Sequence, residues 1–69
     1  DITVAQNGES LVATAGCEVK GIALYTIDAA AVAKANGATL NVAGIKEGLY
    51  IASVITGKGY RNVKIYLNK

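Results

Sequence analysis

The sequence lacks several residue types on which enzymes and metalloproteins commonly depend. It has no histidine and a single cysteine, which removes histidine-based acid–base catalysis, cysteine–histidine dyads, the ordinary zinc sites and any disulfide within the chain. Its five acidic residues are scattered, so no spacing forces two carboxylates together for general acid–base work. We therefore expect no catalytic residue, no metal and no cofactor, and a protein that is not an enzyme.

The chain also has neither a concentration of charge nor a long apolar run. Seven basic residues against five acidic ones give a net charge of +2, which is too small for a nucleic-acid surface with its dense basic stripe. No apolar run approaches the roughly 18 residues of a membrane-spanning helix. Nucleic acid is therefore not an expected partner, and recognition by other proteins is favoured.

The single thiol admits two interpretations. Cys17 follows Gly16, and a small, half-buried side chain is the ordinary state of a free cysteine in such a place. The alternative is a reactive or intermolecular thiol.

The apolar side chains that are present are small. Hydrophobic residues make up 52% of the 69 residues, which excludes a disordered chain, but none of them is Phe, Trp or Met. Aliphatic side chains of this size suit a thin, two-layer packing better than a cavity for a ligand. The length allows one small domain, residues 1–69. We expect Asp1 to be the edge of an excised domain or of a mature fragment.

Glycine and asparagine divide the chain into short segments rich in β-forming residues. Asn-Gly occurs at Asn7-Gly8 and at Asn36-Gly37, and this dipeptide favours tight hairpin turns. Short strands at regular spacing predict an all-β sandwich of about seven antiparallel strands. The predicted strands are Ile2–Ala5, Glu9–Thr14, Glu18–Thr26, Ala30–Ala35, Thr39–Val42, Gly48–Thr56 and Tyr60–Asn68.

The alanine-rich segment after Asp28 fits two structures. Ala has the highest helix propensity, and Asp28 could cap one or two helical turns. A helix of this length is short, however, and the segment lies between two predicted strands. Both a strand or turn and a short helix remain open at this point.

The last two predicted strands carry the clearest patterns. Gly48–Thr56 is apolar on both faces, which predicts a central strand covered on both sides. In Tyr60–Asn68 apolar residues alternate with a polar and aromatic set that includes Tyr60, Lys64 and Tyr66, so this strand is expected to be half-buried. Thr56–Gly59 is expected to join the two strands as a hairpin. The alternative, a phosphate-binding loop, would need a following helix, and a strand is predicted there instead.

Four stretches of the chain resemble, in the same order, the motifs of one protein family. They are Lys20–Asp28, similar to a "V-x-I-Y-D/N" strand, Leu40–Ile45, like "l-D-V-S-x-L", Glu47–Ile51, like "x-G-x-Y-x", and Val63–Lys69, like a terminal "x-K-x-x-x-K". Residues 20–69 thus resemble the C-terminal sorting domain of proteins exported by the type IX (Por) secretion system of Gram-negative Bacteroidetes.

One turn departs from the family pattern. The family usually follows its first motif with "x-x-G-R-x-V", and here Ala29 and Ala30 stand where glycine and arginine are expected. Alanine does not adopt a positive φ as cheaply as glycine. The departure puts in question the geometry of the turn and any contact made by the arginine.

The resemblance implies a small immunoglobulin-like β-sandwich that acts as a secretion signal. It implies recognition by the outer-membrane translocon, passage of an upstream cargo through the periplasm to the cell surface or the medium, and removal of the domain by a sortase-like peptidase. The residues expected to be recognised lie in the last strand: Lys64, Ile65, Tyr66, Leu67 and Lys69. Three family-motif residues, Tyr25, Gly48 and Tyr50, are expected to be structural.

Two further expectations concern the partners of the domain. An immunoglobulin-like interaction or adhesion module that is permanently retained in a surface protein is the alternative to a sorting signal. With a small core and unprotected edges, isolated chains are also expected to form homodimers by pairing edge strands or by swapping the last hairpin.

Overall fold

The computed structural model describes residues 1–68, which form seven β-strands and no helix. The alternation of apolar and polar residues between turn signals therefore produced the expected element type throughout. Each predicted strand is confirmed, with bounds that shift by at most two residues. The strands are β1 (Thr3–Asn7), β2 (Ser10–Thr14), β3 (Val19–Thr26), β4 (Ala31–Asn36), β5 (Thr39–Asn41), β6 (Gly48–Thr56) and β7 (Gly59–Leu67).

The strands pair into two antiparallel sheets that pack face to face. One sheet has the order β1-β2-β5 and the other the order β4-β3-β6-β7. This connectivity places three strands against four, as in immunoglobulin-like sandwiches with a fourth strand beside the C-F-G sheet. The predicted all-β sandwich is confirmed. The prediction that Gly48–Thr56 is central is also confirmed, since β6 lies between β3 and β7.

A layer of small aliphatic side chains fills the space between the sheets. Because side chains alternate along a strand, each strand contributes every second residue to this layer. The three-stranded sheet supplies Leu11 and Leu40, and the four-stranded sheet supplies Ile22, Leu24 and Val54, each at most 3% exposed. No aromatic ring is among the fully buried side chains of the described chain, as expected for a thin core.

The alanine-rich segment is a strand, and the alternative of a short helix is wrong. β4 pairs with β3, so that Ala33 lies opposite Leu24 and Ala35 opposite Ile22. Both alanines are partly buried against the core, whereas Lys34 between them is exposed. Backbone pairing with β3 and this period-two burial outweigh the modest helix propensity of alanine.

The two Asn-Gly dipeptides lie in different kinds of connection between strands. Gly8 has φ +62° in the β1–β2 hairpin, but Asn7 is still in the strand and pairs with Ser10. Gly37, with φ +109°, lies where the chain leaves β4 for β5 in the other sheet, so the prediction of a hairpin there is wrong. Both glycines supply the positive φ that the dipeptide predicts, whereas the dipeptide carries no information about which strands pair.

The β3–β4 turn keeps a left-handed residue without glycine. Ala29 has φ +72° and is the one non-glycine residue of the described chain with a positive φ. Its N–H donates to the carbonyl of Thr26 at 2.9 Å, and the Thr26 hydroxyl accepts the N–H of Ala30 at 3.1 Å. A left-handed residue is typical of three-residue hairpin loops. The resemblance expects glycine at this position, and the backbone has the conformation that glycine favours.

We therefore predict that Ala29→Gly stabilises the domain. A left-handed conformation costs an L-residue about 1–2 kcal/mol, and the larger backbone entropy of unfolded glycine offsets about 0.5–1 kcal/mol of that gain. The free energy of unfolding in urea should rise by up to about 1 kcal/mol. Ala30→Gly is the matched control, because Ala30 has no positive φ and its replacement should destabilise. Equal losses for both variants would contradict the prediction.

Candidate recognition surface

The four-stranded sheet has an outer face, which points away from the three-stranded sheet. Cross-strand register places Tyr25 of β3 opposite Ile51 of β6, and Ile51 opposite Lys64 of β7. Ile55 and Tyr60 form another such pair. Antiparallel partners project to the same side of a sheet, so these five residues share the outer face. It combines apolar and aromatic side chains with a cation.

This arrangement corrects one prediction for β6. Its central place in the sheet suggested coverage on both sides, but Leu49 and Ile55 are 44% and 38% exposed. The inner-face residues Ala52 and Val54 are fully buried. A sandwich has only two layers, so the outer face of a central strand has neighbours beside it and no layer above it.

A shallow groove runs across the outer face. It has a volume of about 620 Å³ and is lined by residues of β3, β6 and β7, among them Tyr25, Ile51, Ile55 and Tyr60. Ser53, at its floor, is only 8% exposed because larger side chains surround it. The groove is open and mainly apolar, which fits contact with another protein better than an enclosed small-molecule site.

The predicted recognition residues fall on both faces of β7. Lys64 and Tyr66 are exposed, and Tyr66 lies opposite Leu49 on the outer face. Ile65 is half-buried against the core, and Leu67 is fully buried within it. In the folded domain Lys64 and Tyr66 are therefore accessible to a partner, whereas Leu67 is not. Lys69 lies outside the described residues.

The three family-motif residues have distinct local roles. Gly48 has φ +151°, a conformation that side chains rarely adopt. The Tyr50 ring packs against the core, and its hydroxyl donates a hydrogen bond to the Lys46 carbonyl at 2.7 Å. These contacts hold the chain at its entry into β6. Tyr25 instead lies half-buried on the outer face, at the groove.

The contact that holds the end of β7 has no signature in the amino-acid sequence. The side-chain amide of Gln6, in β1, bonds with the backbone of Asn68: its Nε2 donates to the Asn68 carbonyl at 2.8 Å, and its Oε1 accepts the Asn68 N–H at 2.9 Å. The amide thus imitates one rung of a β-ladder between the two sheets. Its partners are 62 residues apart, so no local pattern reveals it.

Three further findings concern the thiol, possible metal ligands and membrane-spanning helices in residues 1–68. Cys17 is exposed in the β2–β3 loop, so the expectation of a half-buried side chain is wrong; the short loop there provides no layer to cover it. Within residues 1–68 no three potential metal ligands come together. No helix in that range is long and apolar enough to cross a membrane.

Comparison with known proteins found no matching family model, no matching curated protein and no matching solved structure.

The Gln6 contact generates a prediction about the end of β7. Gln6→Ala should lower the free energy of unfolding by about 1 kcal/mol. It removes three solvent-exposed hydrogen bonds, two with Asn68 and one from Nε2 to the Gly8 carbonyl. It should also accelerate amide hydrogen exchange at Asn68. Gln6→Glu is the control for exchange: its carboxylate still accepts the Asn68 N–H, so exchange there should stay slow, although it cannot donate to the Asn68 and Gly8 carbonyls. An unchanged exchange rate at Asn68 in Gln6→Ala would contradict the prediction.

Proposed function

We propose that the domain is a C-terminal sorting signal recognised by the type IX secretion machinery. The observation that carries the proposal is the exposed face of the last strand, where Tyr60 and Tyr66 flank Lys64 and are 71% and 55% exposed. Large amphipathic side chains beside a cation are efficient anchors for protein recognition. The family resemblance of residues 20–69 supplies the identity of the machinery.

In this proposal the domain is a substrate and performs no catalysis. It directs an upstream cargo through the periplasm and across the outer membrane by way of the translocon. A sortase-like peptidase then removes the domain at the cell surface. No cofactor and no nucleic acid takes part. Homodimerisation through edge strands or through a swapped hairpin belongs to the same proposal as a property of isolated chains.

The second candidate is an immunoglobulin-like adhesion module that remains attached to a surface protein. The buried position of Leu67 favours it, because a strand that completes the core has a structural reason to be present whatever the domain does. In that case the domain persists in the mature protein. The residues of β7 then affect export only through folding.

The structure shows why a simple truncation cannot separate these candidates. Removing residues 63–69 deletes Leu67 from the core, and losing a buried leucine side chain alone costs about 2–5 kcal/mol. A small domain with that loss would unfold, and export would fail for either reason. Exposed positions on β7 provide the cleaner test.

We predict that the double variant Lys64→Ala/Tyr66→Ser blocks export while the domain stays folded. A reporter with a signal peptide, fused in front of residues 1–69, should reach the surface or medium of a type IX-secreting bacterium and lose the mass of the domain. The double variant should remain in the periplasm. Lys34→Ala, an exposed cation on the distant strand β4, is the matched control and should be exported.

Two outcomes would contradict the proposal. If the double variant is exported and processed like the parent, the exposed face of β7 is not what the machinery reads. If the parent fusion itself stays in the periplasm, Ala29→Gly/Ala30→Arg should restore export, because it restores the family's turn. Failure of that variant as well would reject the sorting function, and an exported fusion that keeps the domain would favour the adhesion module.

A further inference from the structure

β7 is the longest open edge of the sandwich. It pairs with β6 over nine residues without a register shift, and no strand is paired with its other side within residues 1–68. The Gln6 side chain, from β1, bonds on that side only to Asn68, beyond the end of β7. The opposite edge, β4, is shorter, and its pairing shifts register between Leu24 and Tyr25. The edge strands of the other sheet are five and three residues long. A long, regular edge is the best template for an added strand.

Hydrogen bonds at the ends of β3 establish which backbone groups that edge exposes. The Lys20 carbonyl accepts from Gly37 at 3.0 Å, and the Thr26 N–H donates to Ala30 at 2.9 Å, both on the β4 side. Even-numbered residues of β3 therefore bond toward β4 and odd-numbered ones toward β6, because the direction alternates along a strand. The same alternation continues through β6 to β7.

The same alternation determines which residues of β7 direct their backbone groups to the open edge. The odd-numbered residues of β7 bond to β6, as the tight hairpin that pairs Thr56 with Gly59 also requires. The N–H and C=O groups of the even-numbered residues then point to the open edge. These residues are Tyr60, Asn62, Lys64 and Tyr66.

The charge of β7 selects the kind of strand that can be added. Arg61 and Lys64 are both exposed, and β7 contains no carboxylate. Among residues 1–68 neither cation takes part in an ion pair. The acidic side chains lie in other segments: Asp1, Glu9, Glu18, Asp28 and Glu47.

We propose that the open edge of β7 binds an extended acidic segment of another protein as an additional antiparallel strand. Backbone groups of the segment pair with the even-numbered residues, and its carboxylates lie opposite Arg61 and Lys64. Its apolar side chains extend the inner face beside Val63 and Ile65. This is β-strand addition, in which main-chain bonds give affinity and alternate side chains give specificity. It goes beyond the sorting proposal and holds whether or not the domain is an export signal.

A second copy of the chain fits this edge less well, so the homodimer proposed above would use another edge strand or a swapped hairpin. Antiparallel self-pairing centred on Val63 would place Lys64 opposite Asn62 of the other copy. The two Lys64 side chains would then be diagonal neighbours, about 7–8 Å apart. Each copy also brings Arg61, so the joined edge would concentrate four cations. An acidic strand replaces that repulsion with attraction.

The test uses a defined peptide and the whole 69-residue chain. The probe is the acetylated, amidated peptide Thr-Val-Glu-Val-Thr-Glu-Thr, whose two glutamates face Lys64 and Arg61 when it is antiparallel to residues 60–66. The control peptide has lysine in place of both glutamates. Binding is followed by backbone NMR titration and by amide hydrogen exchange at each residue of β7.

We expect the acidic peptide to bind with a Kd below about 1 mM and to slow exchange at Tyr60, Asn62, Lys64 and Tyr66. The odd-numbered amides are already bonded to β6 and should change little. Raising the salt to about 1 M shortens the screening length to about 3 Å. Binding should then weaken about tenfold, the contribution of two exposed ion pairs.

Two variants test separately how backbone pairing and charge contribute to peptide binding. Asn62→Pro removes an edge N–H that β6 does not use, and proline is tolerated at such positions of edge strands; it should abolish binding, whereas Asn62→Ala should not. Lys64→Glu/Arg61→Glu should reverse the preference, so that the lysine peptide binds and the glutamate peptide does not. The charge reversal leaves the backbone untouched and tests the inference even if the proline variant unfolds.

Three results would overturn the inference. The first is no binding of the acidic peptide up to about 1 mM, and the second is equal binding of both peptides. The third is protection of the even-numbered amides without any peptide, rising with protein concentration. That third result would assign the edge to a second copy of the chain.

Discussion

The packing of two narrow sheets through aliphatic side chains is the interaction on which the rest of the molecule depends. Leu11 and Leu40 from the three-stranded sheet form one cluster with Ile22, Leu24 and Leu67 from the four-stranded sheet. Within residues 1–68 no group of potential metal ligands, no disulfide and no fully buried aromatic ring supplements that layer. A domain of this size buries only about 60% of its unfolded surface. Each strand is therefore needed, and the last strand is needed for folding whatever further role it has.

The two-layer architecture also explains where a partner can bind. Side chains on the inner faces are used for folding, so recognition falls to the outer faces and the edges. β7 has side chains on both sides, since Leu67 enters the core while Tyr66 beside it faces solvent. The groove formed with Ile51 and Ile55 places an apolar surface next to an unpaired, cationic edge.

Strand pairing outweighs the conformational preferences of single residues in two places. The alanine-rich segment pairs with β3 as a strand, although alanine has the highest helix propensity. Ala29 has a left-handed backbone because the turn between β3 and β4 requires one. The family that residues 20–69 resemble has glycine at this position, where an L-residue is strained. Both cases have the same cause. Hydrogen bonds between paired strands and the burial of side chains together outweigh conformational preferences of about 1 kcal/mol per residue.

The period-two pattern and the turn residues were enough to predict seven strands, the sandwich, the central place of β6 and the alternation of β7. They also placed Lys64 and Tyr66 on a solvent-facing side, because each of these properties is encoded in neighbouring residues. Only the tertiary structure decided the open outer face, the sheet change at Gly37, the exposure of Cys17 and the contact between Gln6 and the end of β7. Those features depend on which distant segments meet, and sheet partners are chosen by the packing of the whole chain.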